Sequence, residues 1–530
     1  MPEETRGKEE RGFEALNSIG KGTSVLVGGT ILLFLLNFIG RVYTARYLTL
    51  AGFGAFNLGL ALTGLLALVA LLGLHQATAR VLANNRDPAV RRKVIRSVTA
   101  LTAVAAVVSS SIVFVLAAPL GRLFGGGSSD ALTQVFQLLS VTVGFTLGST
   151  LLASIFQGFE NAAPNAWFNQ VVQPAAFVVF VFLFFHFHLR LTGALYAWTV
   201  SNAVAFAALL YYSWRRLPQY LPLEGPIARE IPRGMMSLSL SLWGVTTLSY
   251  VTAYIDTLIL GVYRPEATVG VYAAALTLGR LLLAANGALT YIYLPVTARL
   301  QSNRDFDSIR STFVTSTRWI LVVTVPLFLL FFALPTQSLI AVYGSAYSSG
   351  SLALAIVTAG SLISVAVGPV NACLAGLGMT RWLLLTAIVS AGINTALSFG
   401  LIPIFGLNGA SVAWTVARVA YPVSGLAGLY VAHRIHPFTR TLLAPLLLTV
   451  GIGVPLFYLI GWMGAPNWVV FPLYGVGVLL YLGATFLTRS VERGDLVLCR
   501  FIERGVGRPL PFLVRLLERF GPVGRGAPPR

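Results

Sequence analysis

Apolar runs of about twenty residues or more follow one another along almost the whole chain, each cut off by charges, by Gly or Pro, or by Asn and Asp. A helix needs about 20 largely apolar residues to cross the ~30 Å hydrocarbon layer, so each run is long enough for one transmembrane crossing. The pattern predicts fourteen: 24–45, 53–82, 97–119, 131–156, 165–186, 192–213, 236–262, 268–297, 312–334, 350–376, 382–404, 408–432, 441–462 and 467–488. The expected fold class is an all-α polytopic membrane protein with 14 transmembrane helices.

Composition excludes a soluble alternative. Only 10% of the 530 residues are charged and 56% are hydrophobic, against about 25% and 45–50% in soluble domains. The 37 Lys and Arg against 18 Asp and Glu leave a net charge of +19. Nucleic acid is not the implied partner, because the basic residues sit between apolar runs rather than on one folded face. Membrane topology explains them, since Lys and Arg near span ends favour the cytoplasmic side. With the N-terminus inside, the cytoplasmic segments hold Arg6, Lys8, Arg11 and Lys21, then the cluster from Arg80 to Arg96, then Arg215, Arg216, Arg229 and Arg233, and so on to the arginine-rich tail from Arg489 to Arg530. External segments hold Arg46, Arg122, Arg190 and Arg264. An odd number of spans breaks this alternation, so both termini are expected in the cytoplasm of a multi-pass cell-membrane protein. The first 22 residues carry acidic side chains and no short apolar core with a cleavage site, unlike a cleaved signal peptide. In the tail, Phe512, Leu513, Leu516, Leu517 and Phe520 share one helical face opposite Arg515, Glu518 and Arg519, the pattern of a basic helix on the inner membrane surface. Cys373 and Cys499 do not form a disulfide framework.

The chain repeats itself at a spacing of 216 residues. Tyr47, Gly54, Phe56, Leu60 and Leu62 correspond to Tyr263, Gly270, Tyr272, Leu276 and Leu278, and Gly193-Ala-Leu-Tyr-Ala-Trp-Thr-Val200 corresponds to Gly409-Ala-Ser-Val-Ala-Trp-Thr-Val416. Phe156-Gln-Gly-Phe159 matches Leu374-Ala-Gly-Leu377 with a slip of two. Each unit then holds six spans, and an even number of crossings makes the halves parallel, related by an axis along the membrane normal. The expected organisation is a cytoplasmic N-terminal segment at 1–22, a six-helix bundle at 23–216, a cytoplasmic linker at 217–235, a second six-helix bundle at 236–433, helices 13 and 14 at 440–488, and a basic cytoplasmic tail at 489–530. A cavity is expected between the bundles.

Charges inside spans mark candidate chemistry, because a charge at the bilayer centre costs several kcal/mol unless it faces protein or water. The acid is Asp256; the bases are Arg41, Arg280, Arg318 and Arg418. Arg41, Arg280 and Arg418, with Asn37 and Asn286, are the candidate lining of a substrate cavity, guanidinium offering bidentate geometry to phosphate. Structural ion pairing, for instance of Asp256 with Arg280, is the competing account, although about six residues of stagger, roughly 9 Å, separate them. Arg318 lies near the inner interface, where a long side chain snorkels. Asn57, Gln173 and Asn394 either line a wet path or make interhelical hydrogen bonds. Pro174 and Pro422 allow bending or merely kink their helices.

Enzyme signatures are weak. Asp305-Phe-Asp307 has the spacing of a metal and nucleotide-sugar site, but its short connection suits a solvated loop and helix cap. No Walker A sequence occurs, and Gly125-Gly-Gly127 is not followed by Lys and Ser or Thr. No metal or cofactor is expected.

Tyr47-Leu-Thr49, Gly52-Phe-Gly-Ala-Phe-Asn-Leu58, Leu72-Gly-Leu74 and Ala79-Arg80, with Asp256-Thr-Leu-Ile-Leu-Gly261 and Val269-Gly-Val-Tyr-Ala-Ala-Ala275 in the second half, resemble the corresponding hairpins of O-antigen and lipid-linked oligosaccharide flippases. The resemblance covers about residues 20 to 488 and points to the polysaccharide-transporter branch of the multidrug/oligosaccharidyl-lipid/polysaccharide exporter superfamily. It implies two parallel six-helix bundles in a V-shape plus two extra C-terminal helices, and alternating access carrying a polyprenyl-(pyro)phosphate-linked sugar or oligosaccharide from the cytoplasmic to the outer leaflet for surface glycan assembly. It implies a lipid-linked saccharide substrate, contact with membrane lipids and with glycan-assembly proteins, and no enzymatic activity. Arg41 and Arg280 match the cavity-facing cations of the family. Span 1 departs from many cation-coupled drug exporters in lacking an acidic residue, while Asp256 is a candidate for ion coupling. Two other functions stay open: a cation-coupled small-molecule exporter of the same superfamily, and a membrane enzyme or scaffold in glycan assembly.

Overall fold

Turn and cap residues cut the apolar runs into helices at definite places. Thr49 caps one, its Oγ1 accepting from the Gly52 amide at 3.1 Å, and Asp87 caps another, accepting from the Ala89 amide at 2.9 Å. The computed structural model describes residues 32, 34–124, 129–217, 234–439, 451, 453–462 and 467–487, and among them every regular element is a helix. The first half comprises α1 (34–47), α2 (Leu50–Leu71), α3 (Leu74–Asn84), α4 (Pro88–Val115), α5 (Ala117–Leu123), α6 (Ser129–Gly158), a π-helical stretch Asn165–Val172 running into α7 (Gln173–His186), and α8 (Arg190–Arg216). The second comprises α9 (Met235–Tyr263), α10 (Glu266–Leu281), α11 (Ala284–Ser302), α12 (Phe306–Ala333), α13 (Pro335–Tyr343), the short turn Ser345–Gly350, α14 (Ser351–Ala366), α15 (Val370–Gly376), α16 (Thr380–Phe405) and α17 (Leu407–His433). Two further helices, α18 (Val454–Trp462) and α19 (Asn467–Leu487), pack on α12.

Nine helices among the described residues are long and apolar enough to cross a membrane. The difference from the expected fourteen has identifiable causes. Span 2 is broken between α2 and α3, where Leu72 (φ 45°) and Gly73 (φ 73°) turn left-handed, yet α2 alone is long enough to cross; span 8 is lost because it is broken at Leu282 and Leu283 between α10 and α11. Spans 1 and 13 extend into residues outside the described set, span 14 counts only as the shorter apolar stretch Val469–Leu479, and in α17 Asn408, Arg418 and Pro422 interrupt the apolar sequence. The 1–22 segment, most of the 217–235 linker and the tail with its 510–520 helix also lie outside the described residues.

The repeat is visible in the helix ends. Tyr47 ends α1 and Tyr263 ends α9, while Leu50 starts α2 and Glu266 starts α10, both 216 residues apart (263 − 47 and 266 − 50). Val115 ends α4 and Ala333 ends α12, while Ala117 and Pro335 start the next helices, both 218 apart (333 − 115 and 335 − 117). The slip of two therefore enters before the ends of α4 and α12. Packing repeats with it: α2 on α6 as α10 on α14, α4 on α6 as α12 on α14, α6 on α8 as α14 on α17, and α7 on α8 as α16 on α17.

The halves meet where α2 lies along α10. A Cβ on Gly54 would run into the carbonyl of Glu266, and a Cβ on Gly270 would run into the carbonyl of Leu50. These are repeat-equivalent pairs touching reciprocally, the isologous contact of a two-fold axis. One hydrophobic core spans this junction, with Phe53, Phe56, Leu58, Leu260, Tyr272 and Ala274 buried in it. Next to it, Arg46 donates from Nε to the Val342 carbonyl at 2.6 Å and Tyr347 donates its hydroxyl to the Ala45 carbonyl at 2.8 Å. On one flank α9 runs beside α2 and α3: Tyr250 donates to the Ala61 carbonyl at 3.1 Å and Ser239 to the Leu72 carbonyl at 2.6 Å.

Candidate functional site

Helical spacing places Asn37 and Arg41 on one face of α1, four residues apart. Arg41 is half-buried, and its Nη1 donates to Asn57 Oδ1 on α2 at 3.2 Å. Asn57 is oriented for this by its own Nδ2, which donates to the Phe53 carbonyl at 2.8 Å. Asn37 is half-buried and has an interaction of its own.

Arg280 approaches from the other half, in the last turn of α10. It is half-buried, Nη2 donates to the Ala253 carbonyl on α9 at 2.6 Å, and the guanidinium carbon lies 5.5 Å from the Tyr254 ring centroid and 5.9 Å from that of Trp414. Carbonyl and ring faces supply partial negative charge without neutralising the cation. Arg418, one turn beyond Trp414 on α17, lies close enough to Arg280 for their charges to interact repulsively. Its Nε is buried and has no hydrogen-bond partner among the described residues. Tyr250 links the two sides: it is within electrostatic reach of both Arg41 and Arg280, and its ring packs on Tyr254 with centroids 4.6 Å apart. Tyr254 and Trp414 thus flank Arg280, and Tyr250, packed on Tyr254, lies within electrostatic reach of Arg41 as well. Asn286 lies beyond the α10–α11 break, half-buried in the first turn of α11, and makes an interaction of its own.

Asp256 makes no direct ion pair with Arg280 among the described residues, although it lies within electrostatic reach of that guanidinium. It is fully buried, its Oδ2 accepts the hydroxyl of Tyr272 from α10, and its Oδ1 has no hydrogen-bond partner among the described residues. The stagger along α9 sends Arg280 to Ala253, one turn short of the carboxylate. Arg318, expected to snorkel, is instead buried within the packing of α12 and engaged in an interaction. Two other polar residues make interhelical bonds: Gln173 Nε2 donates to Ser201 Oγ at 3.3 Å and Asn394 Nδ2 to the Thr252 carbonyl at 2.8 Å. Asp305 is a helix cap, accepting from the Ser308 amide at 3.0 Å; bonds from the Ser308 side chain and amide hold its carboxyl below the ordinary carboxylate range.

Tyr250 and Tyr254 are the site residues that reading charges alone overlooks. Their signal is an aromatic pair at i, i+4 in the same span as Asp256, which within an apolar run looks like ordinary core. Trp414 is visible as part of the repeated octapeptide.

A family model described as polysaccharide biosynthesis protein matches residues 19–301. No curated protein matches the chain significantly. Among solved structures, the fold is similar to "Lipid II flippase MurJ, inward closed conformation", with TM-score 0.70, 12% identity, and 88% of this chain and 99% of that one covered. It is also similar to an inward-facing multidrug resistance MATE family transporter of the MOP superfamily, with TM-score 0.62, 16% identity, and 75% and 93% covered. A MOP superfamily transporter from Pyrococcus furiosus, whose title speaks of a reverse polarity of its binding pocket, gives TM-score 0.51, 16% identity, and 77% and 97% covered.

Proposed function

The chain belongs to the polysaccharide biosynthesis protein family, and from that premise we propose that it is a flippase, moving a polyprenyl-(pyro)phosphate-linked sugar or oligosaccharide from the cytoplasmic to the outer leaflet by alternating access of the two bundles at 23–216 and 236–433. The observation that carries this reading is an excess of cations around Tyr250: Arg41 from one half and Arg280, with Arg418 beside it, from the other, set among aromatic rings and against a single carboxylate, Asp256, within electrostatic reach of Arg280. Like charges gathered in a membrane are costly, and an anionic group removes that cost on arrival. Guanidinium forks suit phosphate, and the faces of Tyr254 and Trp414 suit the apolar faces of sugar rings. The sugars cannot cross hydrocarbon unaided, whereas the polyprenyl tail need not leave it, so a polar passage between two bundles meets both needs.

Depleting the protein tests this. A lipid-linked saccharide should accumulate on the cytoplasmic leaflet while surface glycan falls; unchanged surface glycan and no accumulation would contradict it.

A second reading, a cation-coupled exporter of small molecules, is favoured by Asp256, whose buried carboxylate keeps one oxygen without a hydrogen-bond partner. Under the flippase reading, Asp256→Asn lowers transport of the lipid-linked saccharide if the carboxylate couples an ion, and leaves cationic-dye resistance of the cells unaltered. Gradient-driven dye efflux by the wild type, abolished in Asp256→Asn, would establish the exporter instead.

A further inference from the structure

We propose that Tyr250 is a positioning residue that holds α9 against α2 and lets go when an anionic group enters between Arg41 and Arg280; this rests on the flippase reading. The phenol bridges the halves. Its hydroxyl donates to the Ala61 carbonyl at 3.1 Å, and it enters a notch left by Gly64, where a Cβ would collide with the phenol oxygen of Tyr250. Further along the seam Ser239 Oγ bonds the Leu72 carbonyl at 2.6 Å and Trp243 packs on Gly73, so α9 is tethered to α2 at separated points.

The tether at Tyr250 differs from the one at Ser239 in its surroundings. Tyr250 lies in the field of one cation from each half, Arg41 on α1 and Arg280 on α10, and its ring is braced on Tyr254, over which Arg280 sits. Both cations draw an anion to the neighbourhood of the hydroxyl. A charged oxygen is a roughly twofold stronger hydrogen-bond acceptor than a neutral carbonyl, so the O–H exchanges Ala61 for the anion and the seam loses a bond at the moment the site fills. A ligand shifts such an equilibrium only through its different affinity for the two states, and here the difference is the phenol O–H, free for the anion only when the seam is released. A neutral lipid offers no competing charged acceptor and leaves the seam closed.

The test uses spin labels at Val69→Cys on α2 and Leu240→Cys on α9, both exposed, in the full chain with Cys373 and Cys499 changed to alanine, reconstituted in nanodiscs. Farnesyl pyrophosphate is the anionic probe and farnesol the neutral control. Farnesyl pyrophosphate should move the wild-type distance distribution toward a longer separation, and farnesol should not. Tyr250→Phe, and independently Gly64→Ala, should raise the longer-distance population about three- to tenfold without ligand, the size of one hydrogen bond, and respond little further. A resting Tyr250→Phe distribution equal to wild type, or a pyrophosphate shift as large in Tyr250→Phe as in wild type, would overturn the proposal. Calorimetric titration of wild type separates the two levels: binding with unchanged distances overturns the tether alone, and no binding of farnesyl pyrophosphate overturns the anionic-substrate reading and the tether together.

Discussion

Arg280→Ala inserts in the membrane and melts no lower than wild type, yet moves its substrate at least tenfold more slowly; Arg41→Ala shows the same loss of transport. The two halves of this expectation have different physical origins. Arg280 is anchored by one carbonyl and two ring faces, and its charge repels that of Arg418. Its removal relieves that repulsion while sacrificing one hydrogen bond, two ring contacts and the attraction to Asp256, opposing changes of about 1 kcal/mol each that largely offset, so stability changes little. Transport loses a charge-assisted contact to phosphate, worth roughly 1.5–3 kcal/mol, or about ten- to a hundredfold at 1.4 kcal/mol per decade. Lysine at either position should restore only part of the rate, because a point charge cannot grip two phosphate oxygens as a planar fork does. A structural role alone predicts the opposite split, with melting temperature falling and the surviving protein transporting normally.

Gly54→Ala and Gly270→Ala, each a single methyl, should destabilise the protein by about 1–3 kcal/mol, at the upper end for overpacking, because each new Cβ meets backbone rather than a side chain able to move. The contact is reciprocal, so either change pushes α2 and α10 apart at the same place and the double variant should cost less than the sum of the two. Gly392→Ala on α16 is the control: a Cβ there meets nothing within 4 Å, and replacing a helical glycine should stabilise by about 0.5–1 kcal/mol. Melting in detergent, followed by intrinsic fluorescence, reads all three; unchanged melting of Gly54→Ala would mean that the reciprocal contact is not where the halves are held.

Much of this architecture is legible in the residues alone. The apolar runs locate the helices, and the 216-residue repeat anticipates that Leu50 and Glu266 start equivalent helices and that Gly54 and Gly270 occupy equivalent places. That these glycines touch each other is beyond a comparison of the chain with itself, because an axis relating two halves has no sequence signature at the point where it passes. The breaks at Leu72–Gly73 and Leu282–Leu283 are hidden for a different reason: hydropathy averages over a window, and a local change of backbone within an apolar run, left-handed at Leu72–Gly73 and right-handed at Leu282–Leu283, leaves the average unaltered. The arginines announce themselves because charge in a membrane is costly; Arg418 lies within electrostatic reach of Arg280, and Arg41 and Arg280 each within reach of Tyr250. Their aromatic surroundings are silent, since Tyr250 and Tyr254 resemble core until the partner helix is in place. Asp256 shows the limit of pairing by charge: its hydrogen-bond donor is Tyr272, sixteen positions away on the next helix, and the arginine beside it turns to a carbonyl.

The central claim, that this protein carries a lipid-linked saccharide across the bilayer on a cluster of arginines shared by both halves, is tested most directly by reconstitution. Lipid-linked saccharide extracted from depleted cells would be placed in liposomes with purified protein, and its exposure to an impermeant sugar-oxidising reagent followed in time. Movement between leaflets by wild type, lost in Arg41→Ala and Arg280→Ala proteins that reconstitute equally well, is the predicted result. Liposomes with wild-type protein that expose no more saccharide than empty ones, or arginine variants that match wild type, would contradict it.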